Sequence, residues 1–173
     1  MVEWFEKWQT QRSSWLLLLL SALSLILTAL YFQYGMELRP CIKCIYQRTA
    51  VFGIFFAAII PLLHNSKWTR SIGYFTWGLS SFWGFFIARG HVDLLTAANP
   101  FYAPCEIVPN FPSWLPLHQW LPSIFAANGD CLENTWQLLS MGMAQWMMII
   151  FAFYSILLTL VIGALLVSYL RKN

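Results

Sequence analysis

Four long apolar runs organise the chain. The first is Ser13–Met36, with a leucine-rich centre from Leu16 to Leu20. The second and third cover about 45–63 and 72–89, and the fourth lies inside Asn134–Leu170, at about 145–169. Each is close to the ~20 residues that a helix needs to cross hydrocarbon. Backbone polar groups in lipid must be satisfied within the segment, so the runs predict helices and not strands. The expectation is an all-α integral membrane protein: one domain, 1–173, built as a four-helix transmembrane bundle. Its spans are about 14–34, 45–63, 72–89 and 145–169, with outer loops at about 35–44 and 90–144. The first run is too long for the apolar region of a secretory leader and lacks a small-residue cleavage site, so it reads as a retained span. Gly73, Gly78, Ser80, Ser81 and Gly84 give the third span a face that permits close helix contact. Pro61 near the end of the second reads as a kink or a terminus.

Composition agrees. Hydrophobic residues make up 59% of the chain and charged residues only 10%, against roughly 25% charged in soluble domains. Mean hydropathy is +0.60. The ten Lys and Arg are scattered and form no basic stripe, which argues against nucleic acid as a partner and leaves the lipid bilayer.

Charge also orients the spans. Lys7, Arg12, Lys67, Arg70, Arg171 and Lys172 flank one set of span ends. The segment from His91 to Met143 has no Lys or Arg and carries Asp93, Glu106, Asp130 and Glu133. The positive-inside rule then makes both termini and the middle loop cytoplasmic and the long loop external. Arg39, Lys43 and Arg48 run against that trend. All four cysteines fall on the outer side, in a compartment that permits disulfides.

Cys41 and Cys44 form a Cys-x-x-Cys pair, a spacing that serves a reversible disulfide, a structural one or half of a metal site. Zinc is disfavoured, because further His or Cys ligands at finger spacing are missing; no metal is expected. Pro40 precedes Cys41 as at a helix start, and Cys41, Cys44 and Arg48 share one helix face. A helix N-terminus and a nearby cation, Lys43 or Arg48, both favour thiolate. Arg48 either serves this chemistry or snorkels to headgroups as an anchor. His91, where the third span emerges, either bonds a cofactor carbonyl, relays a proton or is simply solvated.

Six of the eight prolines lie in the long loop, which therefore is not one long helix. Trp114, Leu117, Leu121, Ile124 and Phe125 recur at helical spacing, which suits either a short amphipathic helix on the membrane surface or a packed loop. A static bridge between Cys105 and Cys131 would close a loop of about 27 residues and stabilise by ~3–4 kcal/mol. Its location beside a Cys-x-x-Cys favours exchange between the two pairs instead. Aromatics at span ends (Trp15, Tyr31, Tyr34, Trp68, Trp146, Tyr169) read as interface belts.

Taken together, Pro40-Cys41-Ile42-Lys43-Cys44-Ile45-Tyr46-Gln47-Arg48, the four spans and the long loop with Cys105 and Cys131 resemble one family. So do Phe111-Pro112-Ser113-Trp114-Leu115-Pro116-Leu117 and Asn128-Gly129-Asp130-Cys131. The family is DsbB, the bacterial inner-membrane disulfide-bond oxidases, and the resemblance covers almost the whole chain. It implies a quinone-dependent protein disulfide oxidoreductase, with its cysteines in the periplasm, that reoxidises the soluble oxidase DsbA. By the same resemblance, DsbA attacks a Cys105–Cys131 disulfide, released Cys131 attacks Cys41, and freed Cys44 passes electrons to ubiquinone or menaquinone beside Arg48 and His91. Alternatives are a specialised paralogue serving a dedicated oxidase, a thiol reductase running electrons the other way, and a non-enzymatic scaffold stapled by two disulfides.

Overall fold

In the computed structural model, residues 11–97, 109–133 and 136–172 are described. Four long helices dominate them: α1 (Arg12–Tyr34), α2 (Ile42–Leu63), α3 (Lys67–Thr96) and, after the long loop, α6 (Met143–Lys172). The loop holds two single turns, α4 (Leu117–Trp120) and α5 (Pro122–Phe125). A two-residue hairpin, β1 (Gln137–Leu138) with β2 (Met141–Gly142), leads directly into α6. Its turn residues Leu139 and Ser140 both have positive φ, the backbone that so tight a hairpin requires.

The starts of α2 and α3 have local causes. Cys41 is the N-cap of α2, and its sulfur accepts the Cys44 amide at 3.3 Å. Ser66 caps α3 in a reciprocal pair: its hydroxyl accepts the Thr69 amide, and the Thr69 hydroxyl accepts the Ser66 amide. Pro61 sits inside the last turn of α2, which stops two residues later.

Helix α1 packs on α2, α2 on α3, and α3 on α6. One core joins all four, including Trp15 and Ala22 of α1, Ile54 of α2, Trp77 of α3 and Phe151 of α6. Large apolar side chains such as Leu17, Phe75, Phe86 and Leu160 point outward, as helices that are apolar all round do in lipid. Helix α3 is central because its face is small. A Cβ at Gly73 would lie 2.9 Å from the Ala57 carbonyl oxygen of α2, and one at Gly84 would enter the Phe151 ring of α6.

Three helices, α1, α2 and α6, are long and apolar enough to cross a membrane. Helix α3 is 30 residues long but is not among them. Its middle is written in Gly, Ser, Trp and Tyr, which lower hydropathy while serving helix contact. The helix also continues without a break past Arg89 to Thr96, so His91 is helical.

Two sequence expectations change. The surface segment does not form one amphipathic helix, because Pro122 has no N–H and holds Leu121 out of the helical region, at φ −132 and ψ 64. Phe125 turns inward, while Trp114, Trp120 and Leu121 stay exposed. Trp15 leaves the belt: it is buried and packs against Tyr74 with the rings tilted and their centroids 5.0 Å apart.

Gly84→Leu should destabilise the protein by about 1–3 kcal/mol through overpacking against Phe151. Gly163→Ala, where a Cβ meets nothing within 4 Å, should be neutral or stabilising by up to about 1 kcal/mol. Thermal unfolding of both variants in detergent checks the contrast.

Candidate functional site

The chemistry collects where α2 begins. Capping puts the Cys41 sulfur over the first turn, and Cys44, one turn on, brings its own sulfur to 2.8 Å with both thiols free. Helix α3 brings His91, whose Nε2 lies 3.8 Å from Cys41 Sγ. The same Nε2 donates to the Cys131 carbonyl at 3.1 Å. On the far side of the ring, the Gln47 amide donates to Nδ1 at 3.5 Å. A carbonyl only accepts, so these contacts specify the tautomer with its proton on Nε2.

The long loop is tied to this point by its backbone. The amides of Asn128 and Gly129 both donate to the Pro40 carbonyl at 3.0 Å. Any Cβ at Gly129 would overlap the Arg39 carbonyl, so only glycine lets the two chains approach so closely. Cys131 is fully buried, disulfide-bonded, and packs in one cluster with Cys41 and Ile42. Cys105 lies outside the described residues.

Arg48 does not reach outward. It is 6% exposed, and its Nη1 donates to Gln33 Oε1 at 2.8 Å and to the Ile124 carbonyl. Its Nη2 reaches the Ala29 carbonyl at 3.5 Å. Nε is buried with no hydrogen-bond partner among the described residues. Gln33 and Tyr34 also bind the Ser123 carbonyl, at 3.0 and 2.6 Å, so α1, α2 and the loop meet around one guanidinium.

A cavity of about 390 Å³ opens beside these groups. Cys41, Cys44, Arg48 and His91 line it together with apolar residues such as Ile26 and Met147. Of the six residues expected from sequence, five therefore converge, and Cys105 is the one the structure does not describe. Gln33 and Gln47 were missed. Their signal was available: each is an amide within an expected span, which calls for a buried partner.

The Cys41 thiol is pushed down to about 5, chiefly by the hydrogen bond from the Cys44 thiol and then by His91, against the opposing effect of burial. The reduced protein should therefore gain thiolate absorbance in the ultraviolet with a midpoint near about 5, well below an ordinary thiol. A Cys44→Ala variant should move that midpoint upward. Gly129→Ala should break the loop tie, losing two hydrogen bonds of about 0.5–1.5 kcal/mol each. Hydrogen exchange at residues 128–131 should speed up accordingly.

Comparison with known proteins gives this geometry its family. Residues 11–161 match the model of the family "Disulfide bond formation protein DsbB". A disulfide bond formation protein B from Pseudoalteromonas atlantica is 54% identical over 157 residues, covering 91% of this chain and 92% of the relative. Proteins of the same name from Pseudoalteromonas translucida and Pectobacterium atrosepticum are each 45% identical, over 168 and 164 residues. They cover 96% and 95% of this chain, and 98% and 93% of their own lengths. Matched across nearly its whole length, a chain that gathers free and bonded cysteines at one end of an apolar bundle belongs to the DsbB family.

Proposed function

We propose that this chain is a membrane disulfide oxidase that reoxidises a periplasmic DsbA-like dithiol protein and delivers the electrons to a quinone. The observation that carries the reading is the burial of Cys131 against Cys41, with His91 bonded to both residues. A staple has no need to bring a bonded cysteine against a free pair, whereas thiol–disulfide exchange does.

All four long helices cross the bilayer in this reading, α3 included. Both termini are cytoplasmic and the cysteine end is periplasmic, in keeping with the Lys and Arg distribution. The spans are those expected from sequence, about 14–34, 45–63, 72–89 and 145–169.

The exchange balances as follows. A thiolate of the reduced partner attacks Cys105 in the Cys105–Cys131 disulfide and releases Cys131. Cys131 attacks Cys41 in the Cys41–Cys44 disulfide and frees Cys44. The partner's second thiol expels Cys105, and the partner departs oxidised. Cys105 then attacks Cys131 in the Cys41–Cys131 bond. Cys41 leaves readily because its thiolate is stabilised, and low-pKa thiols are the better leaving groups. The Cys105–Cys131 bond is restored, and Cys41 and Cys44 hold the two electrons and two protons.

The cavity fits a quinone. Its walls are largely apolar, Arg48 lies among them, and the guanidinium is not fully satisfied, since Nε has no hydrogen-bond partner among the described residues. When bound, a quinone supplies the two-electron, two-proton acceptor that returns Cys41 and Cys44 to their disulfide. Arg48 orients the ring, and His91 holds a proton at Nε2 within reach of Cys41. Ubiquinone is the expected acceptor, with menaquinone as its substitute.

The test is quinone loss, followed by absorbance, with purified protein, reduced DsbA and a soluble ubiquinone analogue. Turnover should require both substrates and should vanish in Cys41→Ser, Cys44→Ser, Cys105→Ser and Cys131→Ser. Normal turnover in any of the four would overturn the relay. Arg48→Ala should raise the apparent KM for quinone at least tenfold while both disulfides still form. An unchanged KM would reduce Arg48 to a structural role.

A further inference from the structure

The reduced site has the donor set of a metal centre. Cys41 Sγ, Cys44 Sγ and a ring nitrogen of His91 all lie within 4.8 Å of one another. The third ligand comes from α3, 50 residues beyond Cys41, which is why finger spacing along the chain does not reveal it. We propose that the dithiol state of this site binds one Zn²⁺ through Cys41 Sγ, Cys44 Sγ and His91 Nε2, and that formation of the Cys41–Cys44 disulfide abolishes the site.

The geometry requires little movement. Tetrahedral zinc, with bonds of about 2.3 Å to sulfur and about 2.0 Å to nitrogen, sets neighbouring ligand atoms roughly 3.5–3.8 Å apart. Cys41 Sγ and His91 Nε2 already stand at 3.8 Å. The two sulfurs, at 2.8 Å, must separate by about 1 Å, which rotation of the Cys44 side chain provides. All three residues line the cavity, so the fourth position opens onto it and is available to water. Three protein ligands with one open position is the arrangement of water-bearing zinc sites, not of sealed structural ones.

Charge and tautomer both follow. Binding displaces the remaining thiol protons, and two thiolates neutralise the divalent ion. Nε2 must give up its proton and its bond to the Cys131 carbonyl, which moves the ring proton to Nδ1. Gln47 accepts that proton if its amide turns so that Oε1, rather than Nε2, faces the ring at the present 3.5 Å. Gln47 thereby orients the ligand from behind, as outer-shell partners of zinc-bound histidines do.

Oxidation converts both sulfurs into a disulfide, which removes two ligands and releases the ion. The consequence for turnover rests on the oxidase reading: zinc holds the sulfur that would deliver electrons, so the filled site is an inhibited state that a chelator reverses.

The experiment uses full-length protein in detergent, reduced, freed of reductant under argon, and titrated with Co²⁺ as an absorbing stand-in. Thiolate-to-cobalt absorption in the near ultraviolet and tetrahedral bands in the visible should saturate at one equivalent. Zn²⁺ should bleach them, and protein carrying the Cys41–Cys44 disulfide should show none. The signal should persist in Cys105→Ser/Cys131→Ser, where Cys41 and Cys44 are the only thiols. His91→Gln should weaken binding at least tenfold, and Gln47→Leu should weaken it about 10–100-fold. Absence of the bands from reduced protein, or equal affinity in both variants and the parent, would overturn the site. Quinone reduction in metal-free buffer separates this from the oxidase reading. Cobalt bands without turnover would leave the zinc site and remove the oxidase, whereas turnover without bands would do the reverse.

Discussion

A guanidinium inside an apolar bundle has to be solvated by the protein, and much of the cysteine-bearing end of this molecule is arranged to do so. Arg48 lies one turn beyond Cys44, where an unpaired charge costs a few kcal/mol. Its partners are neutral oxygens: an amide and a carbonyl of α1, and a carbonyl of the long loop. Three segments distant in sequence are therefore held by one side chain. The loop is drawn over the start of α2, and Cys131 is carried down with it. The partners leave Nε without a hydrogen bond among the described residues, and the same residue that closes the structure also lines the cavity.

The redox groups divide their labour by position more than by type. Cys41 is outside α2 and caps it, so its sulfur receives an amide hydrogen, the neighbouring thiol and the histidine. Cys44 is inside the helix and has no such set of donors. A symmetric motif is thus made asymmetric by where the helix starts. Pro40 contributes twice, once by preceding the cap and once by offering its carbonyl to Asn128 and Gly129.

Much of this was legible in the sequence, for reasons that differ from residue to residue. The long helices follow from apolar runs, which lipid imposes strongly. The helix start at Cys41 follows from the preceding proline. The convergence of His91 with Cys41 was foreshadowed only by the expectation that both lie at the same ends of their spans, because contact between α2 and α3 depends on small residues whose partners no linear pattern names. Gln33 and Gln47 drew no site expectation, because a lone amide in a span does not name its partner. The surface helix failed at Leu121 because an apolar periodicity is blind to the proline that follows it. The ambiguity over Arg48 arose because a charge at a span end looks the same whether it turns out toward headgroups or in toward carbonyls.

Helix α3 runs unbroken from Lys67 to Thr96, and a helix of that length rises about 45 Å, close to the full depth of a bilayer with its headgroups. Gly73 and Gly84 lock its lower and middle turns against α2 and α6. His91 stands about 10 Å above Gly84 on the same rod, with no loop or hinge between them. The imidazole therefore inherits its placement from contacts made deep in the bundle. A change at a buried glycine far from any cysteine would misalign the ring, so tolerance at the redox centre is set by carpentry deep in the bundle.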